Sequence, residues 1–165
     1  MAGRPWNVLV FRRHRDDDPR EAWPAEEFLD ECPESVRDDL TAIIDAVAES
    51  PPPQFTCGGM WEAMRGIMSG LYEARTRGPD RRLCRLFCIL EQAAPGLNGP
   101  SVIIVAGLSK PVNTALSSAK YSRVKALGDE YRGRVPRNAL GKFRRLDILI
   151  HNFGNSAFPI LGAKL

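Results

Sequence analysis

The stretch that decides the fold covers residues 70–90 and reads GLYEARTRGPDRRLCRLFCIL. Residues 71–77 alternate between two sides, a period of two that is typical of a β-strand with one face in water. The tripeptide GPD at 78–80 is typical of a tight turn, because Pro presets φ and both Gly and Asp accept tight backbone geometry. Residues 82–90 then form a nearly continuous apolar, β-prone run. The stretch therefore predicts a β-hairpin.

Two arginines interrupt this hairpin at places where a plain sheet would carry Thr or Val. Arg75 lies in the first strand, and Arg85 lies in the second. A guanidinium group that is buried or half-buried needs an anionic partner, since burial of an unpaired charge is costly. The partner is either a carboxylate of the protein or a phosphate of a ligand.

The rest of the chain predicts an α+β fold. Apolar periodicity and turn residues predict strands at 6–12 and 101–108, helices at 24–31, 34–50 and 112–129, and a loop with one helical turn at 55–69. We expect the early helices to cover one face of a small antiparallel sheet, while the face that carries Arg75 and Arg85 stays open. Residues 1–131 are expected to form this domain, and residues 132–165 a C-terminal extension.

Charge is distributed unevenly along the chain, although its net value is only +3. Residues 1–53 carry six Lys/Arg against thirteen Asp/Glu, whereas residues 54–137 carry thirteen against six. Such asymmetry favours a face that meets nucleic acid or another polyanion. The alternative is an ordinary solvated surface whose two halves neutralise each other.

Several classes of protein are not expected from the composition. The four cysteines form no CxxC pair, so we expect no metal site and no cofactor. No apolar run approaches the roughly 20 residues of a membrane span. The first residues lack the apolar region of a signal peptide, so a cytoplasmic location without membrane partners is expected.

Several segments together resemble the phage-derived HigB-like toxins of the RelE superfamily. The resemblance spans residues 6–131, and its most specific part is GLYEAR at 70–75, which is similar to that family's Gly-Leu-aromatic-Glu-apolar-Arg strand. Arg85 corresponds to the Arg of the family's next strand, and Lys110 to a basic position just after the last strand. The other segments that carry the resemblance are PAEEFLDECPESVRDDLTAIIDAVAE (24–49), RRLCRLFCIL (81–90), VIIVAGLSKP (102–111) and an Ala-rich basic helix.

The resemblance implies a RelE-like fold and the toxin of a type II toxin–antitoxin system. Its implied activity is a ribosome-dependent, metal-independent endonuclease for mRNA that inhibits translation. The implied partners are mRNA, the ribosome and a cognate antitoxin, expected to be a helix-turn-helix protein. Operator DNA is expected to be bound only through the complex with that antitoxin.

The chemistry of RNA cleavage assigns roles to particular residues. Attack by the 2′-OH needs a base near that hydroxyl, cations on the phosphate and an acid for the leaving 5′-oxygen. Arg75, Arg85 and Lys110 are expected to converge on one phosphate. Glu73 shares a strand face with Arg75 and is the best candidate for the base, with Lys110 as a substitute if desolvation lowers its pKa. Further contacts to RNA are expected from four nearby cations, Arg77, Arg82, Lys120 and Arg123.

Two other hypotheses stay open. The chain departs from the family at Cys84 and Cys88, which replace tyrosines, and at Ala106 and Pro111, which replace a His and a Lys. The loss of these groups favours a catalytically weak module that binds RNA, the ribosome or an antitoxin. A regulator that binds only protein is the other possibility. The simplest alternative to a catalytic role is that Glu73 and Arg75 make cross-strand salt bridges and nothing more.

Overall fold

The computed structural model of the chain describes residues 6–50 and 59–141. Part of the predicted 55–69 loop, including Cys57, and residues 142–165 of the predicted extension lie outside the described residues. Six strands, three α-helices and one 3-10 turn are described: β1 Asn7–Phe11, α1 Pro24–Glu31, α2 Glu34–Glu49, β2 Trp61–Ala63, the turn Gly66–Met68, β3 Tyr72–Arg77, β4 Arg82–Glu91, β5 Ser101–Pro111, α3 Ser118–Gly133 and β6 Ala139–Gly141.

The six strands form one mixed sheet in the order β2-β3-β4-β5-β1-β6. The hairpin of β3 and β4 is confirmed, as are α1, α2 and the α+β class. The expectation of a purely antiparallel sheet is wrong, because β1 pairs in parallel with β5. The apolar run of β5 is buried on both faces of the sheet, which is the usual setting of strands that have parallel neighbours.

Both faces of the sheet are covered, so the expectation of one open face is also wrong for most of that face. Helices α1 and α2 bury Leu29, Leu40 and Ile44 against one side. On the other side α3 packs Val124 and Tyr131 against the sheet. The second layer forms because α3 carries an apolar stripe of its own. Residues 107–110, at the end of β5 that leads to α3, are only partly buried.

Two predicted boundaries shift beside that end. Strand β5 continues through Pro111 instead of ending before Ser109, because Pro111 still pairs with Arg82 as the last residue of the ladder. Helix α3 begins at Ser118 and not at residue 112. A turn closed by Thr114 N–H donating to Pro111 O comes first, and Ser117 then caps the helix by accepting from the Lys120 N–H.

A β-bulge in β5 decides which side chains face α3. Phe87 pairs with Ala106 and Cys88 with Ile104, so Val105 is an extra residue on β5. Each extra residue inverts the alternation of side chains beyond it. Without the bulge Lys110 would lie on the α1–α2 face, whereas with it Lys110 lies on the α3 face.

Candidate active site

A buried carboxylate between two arginines marks the centre of the candidate site. Glu73 Oε1 lies 3.4 Å from Arg75 Nη1, and Glu73 Oε2 lies 3.2 Å from Arg85 Nη1. The Glu73 side chain is 5% exposed and that of Arg85 is 11% exposed. Each carboxylate oxygen therefore accepts a hydrogen bond from a different guanidinium group, in a place largely shielded from water.

The register of the sheet brings these side chains together. Arg75 of β3 lies directly opposite Arg85 of β4, and residues directly opposite on neighbouring strands project from the same face. Glu73 follows the same alternation as Arg75, two residues away, and lies opposite Glu62 of β2. The predicted shared face of Glu73 and Arg75 is confirmed. Tyr72 faces the other side, where its ring stacks on Trp61 at 5.4 Å between centroids.

Helix α3 supplies a group that the sequence analysis missed. Arg85 Nη1 donates to the Tyr121 hydroxyl at 2.8 Å, and the Tyr121 ring meets Phe87 edge-on at 6.2 Å. A signal was present, since Tyr121, Val124 and Tyr131 recur at the spacing of one helical face. Because the helix was predicted to begin at residue 112 and not at Ser118, this apolar face was not recognised. Arg85 Nε is buried without a hydrogen-bond partner, so the guanidinium is only partly satisfied by the protein.

Arg75 also bonds to two groups at the edge of the sheet. Its Nη2 lies 3.0 Å from Glu62 Oε2, and its Nε donates to the backbone carbonyl of Gly59. Gly59 has φ +83°, and a Cβ at that position would lie 3.5 Å from Arg75 Nη2. Gly59, two residues before β2, thus packs closely on the Arg75 guanidinium group.

Lys110 joins this face through the bulge but makes no direct bond to Glu73. It lies opposite Leu83 on β4, and its ammonium group donates to the backbone carbonyl of Thr114. Its charge still reaches the carboxylate, since it acts to lower the pKa of Glu73. Arg75 and Arg85 therefore contact the carboxylate directly, whereas Lys110 acts on it only through its charge.

The environment makes Glu73 a stronger base than an ordinary glutamate. Burial raises the pKa of Glu73, because the carboxylate loses hydration. The charges of Arg85 and Arg75 oppose this rise, and the Glu62 carboxylate adds to it. The net effect is a raised pKa of Glu73, since its side chain is almost fully shielded from water and its neighbour Glu62 is also negative. A raised pKa suits a group that must accept a proton near neutral pH.

The four predicted RNA contacts do not all lie on this side of the molecule. Lys120 and Arg123 are exposed on α3, and Arg77 is exposed at the end of β3 on the strand side that carries Arg75. Arg82 projects from the α1–α2 face instead, where its guanidinium donates to Ser109 Oγ at 2.9 and 3.2 Å. The structure brings the first three near one side of the sheet and separates Arg82 from them.

Other features of the described residues complete the site's surroundings. Cys84 and Cys88 are buried in the α1–α2 core, and burial raises the pKa of both thiols, as expected for small apolar packing groups. Across residues 6–50 and 59–141, no group of three or more His, Cys, Asp or Glu is placed to hold a metal ion. In the same residues no helix has the length and apolarity to cross a membrane.

Comparison with known proteins leaves the site to be interpreted from its own geometry. No protein-family model, no curated protein and no solved structure matches the chain.

Proposed function

We propose that the chain has a RelE-like fold and is a ribosome-dependent mRNA endonuclease, the HigB-like toxin of a type II toxin–antitoxin pair. The observation that carries this proposal is the Glu73 carboxylate held between Arg75 and Arg85 on the α3 face, with Lys110 beside it. A base of raised pKa and three cations on one face are the groups that cleavage by a 2′-OH requires.

The proposed reaction uses these groups in one in-line step. Glu73 takes the proton of the 2′-OH as that oxygen bonds to phosphorus. Arg75, Arg85 and Lys110 stabilise the charge that grows on the phosphate oxygens. The bond from phosphorus to the 5′-oxygen breaks, and that oxygen receives a proton from the Lys110 ammonium or the Tyr121 hydroxyl. The products are a 2′,3′-cyclic phosphate and a 5′-hydroxyl, and no metal ion takes part.

In the free protein each oxygen of Glu73 accepts one hydrogen bond from an arginine and keeps a second lone pair that can take a proton. Oε2 is bonded to Arg85, whose side chain is 11% exposed. Oε1 is bonded to Arg75, which is 32% exposed. The 2′-OH therefore approaches Oε1 from the more exposed side, while Arg75 stays bonded to Glu73 and donates another N–H to the phosphate.

A second candidate function rests on the same contacts. Arg75 and Arg85 already have carboxylate partners, which also fits a module that only binds RNA, the ribosome or an antitoxin. The proposed partners are shared by both functions: mRNA, the ribosome and a helix-turn-helix antitoxin, with operator DNA reached only through the antitoxin complex. The two functions differ in whether a phosphodiester bond is broken.

The deciding experiment is to incubate the purified protein with ribosomes programmed by a defined mRNA and to characterise the fragment ends. The proposal expects fragments with a 5′-hydroxyl, which a polynucleotide kinase labels without prior phosphatase treatment. A matched mRNA with a 2′-deoxynucleotide at the cleavage position should stay intact. Intact mRNA that sediments with protein and ribosomes would support the binding module, and 5′-phosphate ends would reject the proposed chemistry.

A further inference from the structure

Every nitrogen of the Arg75 guanidinium group already donates to an acceptor of the protein in the free state. Its Nε donates to Gly59 O, its Nη1 to Glu73 Oε1 and its Nη2 to Glu62 Oε2. A guanidinium group carries five N–H donors, so these bonds use three of them and leave one on each Nη. An incoming anion that takes the Nη2 donor directed at Glu62 must displace that carboxylate.

Glu62 is the acceptor that is held least firmly. Its side chain is 49% exposed, whereas that of Glu73 is 5% exposed and also bonded to Arg85. Gly59 offers a backbone carbonyl, which moves only with the chain around it. Glu62 also lies on β2, a strand of three residues at one edge of the described sheet. Exposed ion pairs are worth little, so exchange of this carboxylate costs little.

The Glu62 carboxylate also has the right chemistry to stand in for a phosphate. Both groups present anionic oxygens to the same edge of a guanidinium fork. We propose that Glu62 occupies, in the free protein, the position on Arg75 that a backbone phosphate of RNA takes in the complex, and that Glu62 thereby competes with RNA for the site. This inference rests on the proposed function in naming RNA as the ligand.

The exchange preserves the electrostatics that the base needs. The Glu62 carboxylate acts to raise the pKa of Glu73, and a phosphate in its place keeps a negative charge there. The competitor thus leaves and is replaced by an anion of the same sign. Phosphates that cannot displace Glu62 meet a guanidinium already neutralised, which weakens non-specific binding of anions.

The test compares Glu62→Gln with Asp129→Asn, a matched loss of one negative charge. Asp129 is an exposed acid of α3 that pairs with Lys125, 2.9 Å away, so its loss also frees a cation. Two probes are used at constant ionic strength: inorganic phosphate, followed by the shift in melting temperature, and a short single-stranded 2′-deoxy oligonucleotide of mRNA sequence, followed by anisotropy. Each variant is also made in an Arg75→Gln background.

We expect Glu62→Gln to bind both probes about fivefold more tightly, the equivalent of one exposed ion pair. Asp129→Asn should change binding less than twofold. The gain from Glu62→Gln should vanish in the Arg75→Gln background, since the two residues act as a pair. Unchanged or weaker binding by Glu62→Gln, or a gain that survives without Arg75, overturns the inference.

The two probes separate this inference from the proposed function. Tighter phosphate binding that depends on Arg75, in a protein that cleaves no mRNA, supports the competition and rejects the nuclease. Cleavage of mRNA together with unchanged binding by Glu62→Gln rejects the competition and supports the nuclease. Failure of every variant to bind either probe overturns the competition, and cleavage of ribosome-bound mRNA alone then decides the nuclease.

Discussion

Arg85 and Glu73 form the most deeply buried ion pair among the residues that the structure describes, with 3.2 Å between Nη1 and Oε2. The pair connects the two strands of the central hairpin, and Tyr121 extends it to α3. Removal of one member leaves the other charge buried without its main partner. Such losses are far more costly than the loss of both members together.

Arg85→Leu should therefore lower the free energy of unfolding by about 3–5 kcal/mol. The double variant Arg85→Leu/Glu73→Gln should recover part of that loss, because no buried carboxylate then lacks a cation. Urea denaturation of the three proteins measures both quantities. Lys125→Ala is the control, since its ion pair is exposed and should be worth about 0–1 kcal/mol. A double variant no more stable than Arg85→Leu would contradict the coupling.

The pH dependence of stability should carry the signature of Glu73. Its pKa is raised in the folded protein, so the folded state holds the proton more tightly than the unfolded state, whose pKa is about 4.3. The stabilisation from this proton is complete below that pH and is lost as the pH rises through the folded pKa. Glu73→Gln lacks this titration.

Wild type should consequently lose stability relative to Glu73→Gln as the pH rises from about 4 towards neutrality. Urea denaturation of both proteins at several pH values in this range measures the difference, in which the other titrating groups cancel. A wild type that gains on the variant as the pH rises would show that Arg75 and Arg85 outweigh burial and hold the pKa of Glu73 below its usual range.

Local pattern was enough to predict the hairpin and the first two helices. The alternation of residues 71–77, the GPD turn and the apolar spacing of α2 are properties of short stretches, and each forms as expected. The shared face of Glu73 and Arg75 followed from the same alternation. These features depend on neighbours in sequence, which the pattern contains.

The pairing of distant strands and the positions of Lys110 and Tyr121 at the site were not predictable in the same way. The parallel pairing of β1 with β5 depends on segments about 94 residues apart in register, as between Asn7 and Ser101. The extra residue Val105 places Lys110 on the opposite face of the sheet. Nothing in the apolar sequence of β5 marks the position of this bulge. The contact of Tyr121 with Arg85 depends on how α3 docks, which a helical period alone does not fix.

Close packing of α1 on β5 gives a prediction about the fold. A Cβ at Gly107 would lie 1.9 Å from Phe28 Cδ1, so Gly107→Ala forces the ring to move. We expect a loss of about 1–3 kcal/mol in the free energy of unfolding, the usual cost of overpacking. Gly133→Ala is the matched control, because nothing lies within 4 Å of a Cβ there. Equal stability of the two variants would show that α1 does not pack on β5 in this way.

The salt dependence of RNA binding should identify which cations contact phosphates. Lys120→Gln and Arg123→Gln remove exposed charges of α3, and each should lower the slope of log affinity against log salt by about 0.7. Arg82→Gln should leave the slope unchanged, since Arg82 lies on the α1–α2 face. Anisotropy of a single-stranded RNA across a salt series measures the slopes. A larger effect at Arg82 than at Lys120 would show that RNA binds to the α1–α2 face, which contradicts the proposed interface.

Arg75→Ala separates catalysis from structure most directly, when cleavage and stability are measured on the same preparation. The rate of cleavage of ribosome-bound mRNA should fall by about 10²–10³-fold, as for loss of a group that stabilises charge in the transition state. The free energy of unfolding should fall by only about 0–1 kcal/mol, because the Arg75 side chain is partly exposed. Cleavage at the wild-type rate by a protein that is much less stable would contradict the catalytic role of Arg75.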